Sequence, residues 1–192
     1  VNKYSNLNIF LSTGMSSWSE IDKALKTLKK NKIILMQCTS NYPCNDIDVG
    51  LNVLTDMKKK YGNKYKYGFS DHSVGSEAAI CSLVYGAEYV EKHVTFSKKM
   101  YGSDAKFAME PNEFYEFCKS INRTKILIKS KVNKNNIKPF IKMKETFEKK
   151  IVAKRKINKG EKIFIEDLDF KKAIGGVKAS NFKLFLGKKI KK

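Results

Sequence analysis

The chain has 192 residues, 42% of them hydrophobic, which suffices for one medium-sized domain or a partial domain with a small module and excludes disorder throughout. Lys and Arg number 39 against 19 Asp and Glu, a formal net charge of +20 that admits two readings, an anion- or nucleic-acid-binding face and a solvated basic surface. Because only Arg123 and Arg155 supply guanidinium groups, whereas nucleic-acid readers lean on Arg for bidentate contacts, the solvated surface is the working reading and no nucleic-acid partner is expected.

Four short apolar runs recur at 8–12, 33–38, 66–70 and 88–93, each followed by polar or glycine-containing residues and then by a helix-like segment. Strands alternating with helices predict βα units on a parallel sheet. After the first run, Ser17 or Ser19 can cap a helix reaching Lys30, with Ile21, Ala24, Leu25 and Leu28 at helical spacing. A second helix is expected over 46–60, with Val49, Val53, Leu54 and Met57 on one face and Gly62 beyond its end. A third is expected over 76–85, stopping at Gly86, and a fourth from Pro111 to about Lys129. The stretch 131–150 is rich in Lys and Asn and reads as a linker, and 151–192 reads as a small unit of short β-like pieces with a turn at 158–160 and a double glycine at 175–176. Cys38, Cys44, Cys81 and Cys118 form no C-x-x-C pair, so neither a zinc site nor a disulfide framework is indicated and a cytoplasmic setting is expected. No apolar run approaches the roughly 18 residues needed to cross a bilayer, and no membrane partner is expected. Val1 opens the sequence and a strand-like segment follows almost at once, so the chain reads as a fragment or a processed piece.

In a βα barrel the chemistry sits at the C-terminal ends of the strands. All four expected strands end in polar clusters: STGM at 12–15, CTSNYP at 38–43, SDHS at 70–73 and EKH at 91–93. Both histidines of the chain, His72 and His93, fall at such ends on successive strands. Alternation along a strand puts His93 on one face with Glu91, and His72 on one face with Ser70 and Gly68. Two imidazoles so placed can share a divalent ion that polarises a carbonyl oxygen, or can be hydrogen-bonded structural residues; geometry alone leaves both open. Gly14 could let backbone N–H groups approach a phosphate, Asp104 is either a solvated turn residue or a ligand-contacting carboxylate, and Tyr42 is either a packing ring or a substrate contact.

Taken together, STGM, CTSNYP, YGFSDHSVG at 67–75, GAEYVEKHVTF at 86–96 and YGSDAKFAMEPNEF at 101–114 resemble the sialic acid synthase family in order and spacing. VAKRKINKGEKIFIEDLDFKKAIGG at 152–176 and LGKKI at 186–190 are similar to the antifreeze-like (SAF) domain that follows the barrel in that family. The resemblance implies an α/β fold: the C-terminal half of a (β/α)8 TIM barrel at 1–130, a linker at 131–150, and a small mainly-β antifreeze-like domain at 151–192. It implies condensation of phosphoenolpyruvate with an N-acetylated amino sugar, N-acetylmannosamine or a bacterial diamino-sugar analogue, to give a nonulosonic acid and phosphate. His72 and His93 are then expected to hold a divalent metal, manganese by preference, with magnesium or cobalt as alternatives. Ser12 and Ser70 are expected to contact phosphoenolpyruvate, with Ser40 at the place of an Asn in some members, and Tyr42 and Asp104 to contact the sugar. Lys172 stands where an arginine of the antifreeze-like domain reaches a partner's active site in a domain-swapped homodimer, with Ala173 in place of the usual proline. The catalytic glutamate and phosphate-binding lysines of the family belong to the half of the barrel that this sequence does not include, so the chain alone is expected to be inactive. Two rivals are another phosphoenolpyruvate-condensing aldolase, against which the C-terminal unit argues, and a non-catalytic basic binding module, supported only by the charge.

Overall fold

The computed structural model describes residues 7–191, and the chain forms two compact units, Val1–Ser130 and Lys131–Lys192. The first unit repeats strand and helix: β1 (Asn8–Ser12), α1 (Trp18–Thr27), β2 (Lys32–Cys38), α2 (Asn52–Tyr61), β3 (Lys66–Asp71), α3 (Glu77–Val84), β4 (Tyr89–Lys92) and α4 (Pro111–Lys129). Its strands lie in the order β1-β2-β3-β4 and every neighbouring pair is parallel. Helical crossovers are the standard way to return a chain for a parallel pairing, and each pair of strands here is joined through one.

Local chemistry sets the helix ends. Ser17 caps α1: its side chain accepts from the Glu20 N–H while Glu20 returns a bond to the Ser17 N–H, a closed capping box. The helix then stops at Thr27, short of Lys30. The expected helix over 46–60 divides into a single 3₁₀ turn, Asp46–Asp48, and α2, whose end is sealed by Gly62 at φ 62°, a left-handed value that a Cβ would strain. Pro111 occupies the first turn of α4, where its missing N–H costs nothing.

Strand alternation divides the sheet. One face turns Ile33, Leu35, Tyr67 and Phe69 into a core completed by Ile21 and Leu25 of α1 and Leu54 and Met57 of α2. A second cluster, with Ala79 and Leu83 of α3 against Phe117 and Ile121 of α4, closes the other end of that layer. The opposite face carries Phe10, Ser12, Met36, Gly68, Ser70, Tyr89 and Glu91, and much of it is open: Phe10 is 51% exposed. Gly68 leaves room there for Met36, since a Cβ at that position would sit 2.2 Å from Met36 Sδ and displace the thioether. The Met36 thioether fills that space, and the Phe10 and Tyr89 rings meet edge-on at 5.4 Å.

In the second unit β5 (Lys149–Ala153) pairs antiparallel with β6 (Leu168–Lys172), and among the described residues regular strand is confined to these two. The stretch expected to be a linker carries a 3₁₀ turn at Lys138–Phe140, helix α5 (Ile141–Phe147) and the first residues of β5. Apolar Ile137, Phe140, Ile141 and Phe147 are spread thinly among lysines, which hides the helical period from a reading of composition. Arg155 organises the following turn by pairing with Asp167 and Glu161 at 2.8 and 2.9 Å. Among the described residues, no helix is long and apolar enough to cross a membrane.

Candidate active site

The C-terminal ends of β2, β3 and β4 converge on one cluster. His72 follows β3 directly and His93 follows β4 directly, and their rings lie 5.4 Å apart, centroid to centroid, at 88°. Both residues are held through the backbone: the His72 carbonyl accepts from Cys44 N–H and the His93 carbonyl from Met109 N–H, each at 2.9 Å. His72 Nδ1 lies 2.5 Å from the Thr39 carbonyl, which can only accept, so the proton sits on Nδ1 and the Nε2 lone pair faces the cluster.

Tyr42 lies across both imidazoles, stacked on His72 at 4.1 Å and edge-on to His93 at 5.3 Å. Its hydroxyl donates to His72 Nε2 at 2.9 Å. Desolvation of this phenol against its neighbours, then the negative potential of Asp104, Cys38 and Glu91, holds it above the usual tyrosine range. It is therefore a protonated hydrogen-bond donor at neutral pH. Asp104 approaches the other imidazole, with Oδ2 3.5 Å from His93 Nδ1. Ser70 donates to Glu91 Oε1 at 2.9 Å, directly across the β3–β4 ladder, and its oxygen lies 3.3 Å from His72 Nε2. Phe107 closes one wall of the small depression formed by Tyr42, His72, His93 and Asp104 together with Asp71, Ser73 and Lys92.

The structure thus brings Tyr42, Ser70, His72, His93 and Asp104 together. Ser12 ends β1 on the same face of the sheet as Ser70, two strands away, and Ser40 lies against Gly14, where a Cβ would meet its Oγ at 2.7 Å. Neither serine hydrogen-bonds to the histidine cluster among the described residues. Lys172 belongs to the second unit, at the end of β6, with its ammonium 4.7 Å from the Phe147 ring centre. Four residues that lie inside the quoted motifs take parts the sequence reading did not assign: Glu91, Thr39 through its carbonyl, and the buried pair Asp71 and Lys92. Register would have found Glu91, since Ser70 and Glu91 are direct cross-strand partners.

The NeuB family model matches residues 2–133, which covers the whole βα unit. The chain belongs to the NeuB family. An N,N'-diacetyllegionaminic acid synthase of Campylobacter jejuni is 35% identical over 95% of this chain and 55% of its own length. A pseudaminic acid synthase of the same organism is 27% identical over 95% of the chain and 53% of its own length. Among solved structures, an N-acetylneuraminic acid (sialic acid) synthetase from Leptospira borgpetersenii, in complex with citrate, superposes with a TM-score of 0.61 at 31% identity, covering 72% of this chain and 49% of that one. The parallel sheet of this NeuB chain is therefore a half-barrel, and the chain spans about half the length of the curated relatives it matches.

His72 and His93 suit a divalent cation. The Nδ1–H of His72 is engaged by a backbone carbonyl, the arrangement that fixes a metal-ligating imidazole and raises its basicity. Among the described residues no group of three or more His, Cys, Asp and Glu side chains could hold an ion alone.

Proposed function

We propose that this chain supplies the metal-side half of a synthase that condenses phosphoenolpyruvate with an N-acetylated amino sugar to give a nonulosonic acid and phosphate. The observation that carries the reading is the convergence of His72 and His93 on one depression walled by Tyr42 and Asp104. When bound between the imidazoles, a divalent cation, manganese by preference, would polarise the sugar's carbonyl oxygen. The chain's own residues then have distinct tasks. Tyr42 presents a phenolic O–H and a ring face, a pairing suited to a sugar hydroxyl and its C–H face. The Asp104 carboxylate can accept from a sugar hydroxyl while orienting His93. Ser70, anchored by Glu91, offers a hydroxyl at the floor of the site, and Ser12 and Ser40 lie where an anionic co-substrate would run along the strand ends. Residues 151–192 are read as the antifreeze-like domain, and Lys172 as the cation that reaches the acceptor in a partner's barrel within a full-length homodimer. By itself the chain would bind metal without turning over.

Titration of the chain with Mn2+, followed by electron paramagnetic resonance, is expected to show one site that disappears in His72→Ala and in His93→Ala. Full Mn2+ binding in both variants would remove the two residues from the site. Joined to the N-terminal half of a NeuB relative, the chain is expected to release phosphate from phosphoenolpyruvate only when an N-acetylated amino sugar is present; acceptor-independent release would overturn the condensation.

A further inference from the structure

Beside the two histidines, bordering the same depression, lies a buried ion pair that the chemistry above does not use. Lys92 Nζ sits 2.9 Å from Asp71 Oδ2, with the two side chains 2% and 0% exposed. The residues are direct partners in the β3–β4 ladder, and each immediately precedes one of the two histidines. Burying a full ion pair is at best close to neutral for stability against an apolar pair of similar volume, so stability alone does not account for charges here. Their bonds point instead to geometry. Asp71 Oδ1 accepts from both the N–H and the hydroxyl of Ser73, at 2.9 and 2.7 Å, while Lys92 also donates to the Ser73 carbonyl at 2.5 Å. His72 is thereby gripped at the residue before it and the residue after it. The same ammonium ties that turn to the backbone position next to His93.

We infer that Asp71 and Lys92 are positioning residues: their buried pair, closed through Ser73, sets the spacing and orientation of the His72 and His93 imidazoles beside it, and with it the affinity for a divalent cation. This rests on the metal reading of the two histidines given above. Alternation along β3 and β4 turns the side chains of Asp71 and Lys92 away from those of their histidine neighbours, while Asp71, Ser73 and Lys92 still border the same small depression as His72 and His93. An apolar pair could fill the same volume but has no directional bonds with which to hold the Ser73 turn.

The test uses Mn2+ alone as the probe and three variants of the chain: Asp71→Asn, Lys92→Met, and the apolar double variant Asp71→Leu/Lys92→Met. Each single change leaves one buried charge without its partner, so loss of fold in these is separated by the double variant, in which both charges are gone. The double variant is expected to unfold at a urea concentration near that of the parent yet to bind Mn2+ about 10- to 100-fold more weakly, the range for losing an outer-shell partner of a metal ligand. A merely structural pair would restore affinity together with stability, so parent-like Mn2+ affinity in a folded double variant overturns the proposal. A second readout needs no metal: at pH 8 the 15N shifts of His72 are expected to show the Nδ1–H form in the parent and a mixture of tautomers in the double variant. If the parent binds no Mn2+ at the histidines, the reading of the metal site fails, and the tautomer measurement still decides the positioning claim; an unchanged His72 tautomer then overturns it.

Discussion

Gly68→Ala adds one methyl group at the centre of the half-barrel's open face, and the structure sets its cost. The new Cβ would lie 2.2 Å from Met36 Sδ, 2.9 Å from Met36 Cε and 3.1 Å from Tyr89 Cβ. Carbon contacts are comfortable at about 3.5–4.0 Å, so the thioether must move by more than an ångström. Met36 is fully buried, so the shift must be taken up within the packed interior. The backbone at Gly68 is not left-handed, so the penalty is packing alone. Overpacking of this kind costs about 1–3 kcal/mol. With a urea slope of about 2 kcal/mol/M, a loss of about 2 kcal/mol lowers the unfolding midpoint by about 1 M. The assay is fluorescence of Trp18, the chain's single tryptophan, which lies 6.3 Å from Tyr61 within the same unit and so reports on that unit. Met36→Ala should cost about 2–5 kcal/mol by leaving a cavity, and the combined variant should be less unstable than the sum by about 1 kcal/mol or more, because the added methyl group enters the vacated space. Strict additivity, within about 0.5 kcal/mol, would refute the claim that Met36 and position 68 compete for one volume.

The two faces of the sheet should also respond differently: Leu35→Ala, on the helix-covered face at 0% exposure, is expected to cost about 2–5 kcal/mol, whereas Phe10→Ala, at 51% exposure, should cost about 1 kcal/mol, half of a full aromatic burial. Equal losses in urea titrations of the two variants would mean that the open face is covered in solution. In the second unit, Phe164 N–H, then Arg155, hold the Asp167 carboxyl below the usual carboxylate range, and Arg155, then Asn158, do the same for Glu161. Lowered folded-state values make the unfolded chain bind more protons, so the stabilisation is complete above the ordinary carboxylate range and fades as pH falls through the folded values. Circular dichroism of residues 131–192 between pH 7 and pH 2 should show this acid loss, and Arg155→Gln should flatten it; an unchanged acid limb in that variant would assign the loss to other carboxylates.

Legibility of the sequence followed the strength of local signals. The four βα units were readable because each strand is a compact apolar run and each helix carries its own punctuation, such as the Ser17–Glu20 box, Gly62 and Pro111. Helix α5 was not, because its apolar residues are diluted by lysine and its neighbourhood resembles a linker in composition. At the site, the histidines stood out by rarity and by placement at strand ends. Thr39 did not, since its part is played by a carbonyl that every residue possesses. Lys92 and Asp71 were hidden for another reason: in a chain this rich in lysine, nothing local distinguishes one ammonium that is 2% exposed from the many that face water. Pairing register supplies the missing information, and register is a property of two strands rather than of either one.

The motifs SDHS and EKH are intelligible as two strand ends on which both faces are used. Ser70 and His72 alternate with Asp71 and Ser73, and Glu91 and His93 alternate with Lys92. In the first set Ser70 donates to Glu91 and the imidazoles meet Tyr42; in the second the ammonium, the carboxylate and the Ser73 turn satisfy one another along the border of the same depression. A substitution in one set therefore disturbs the other only through the backbone they share. That division lets the mouth present polar groups that await a ligand, because the order they require is supplied by a neighbouring pair that is itself buried.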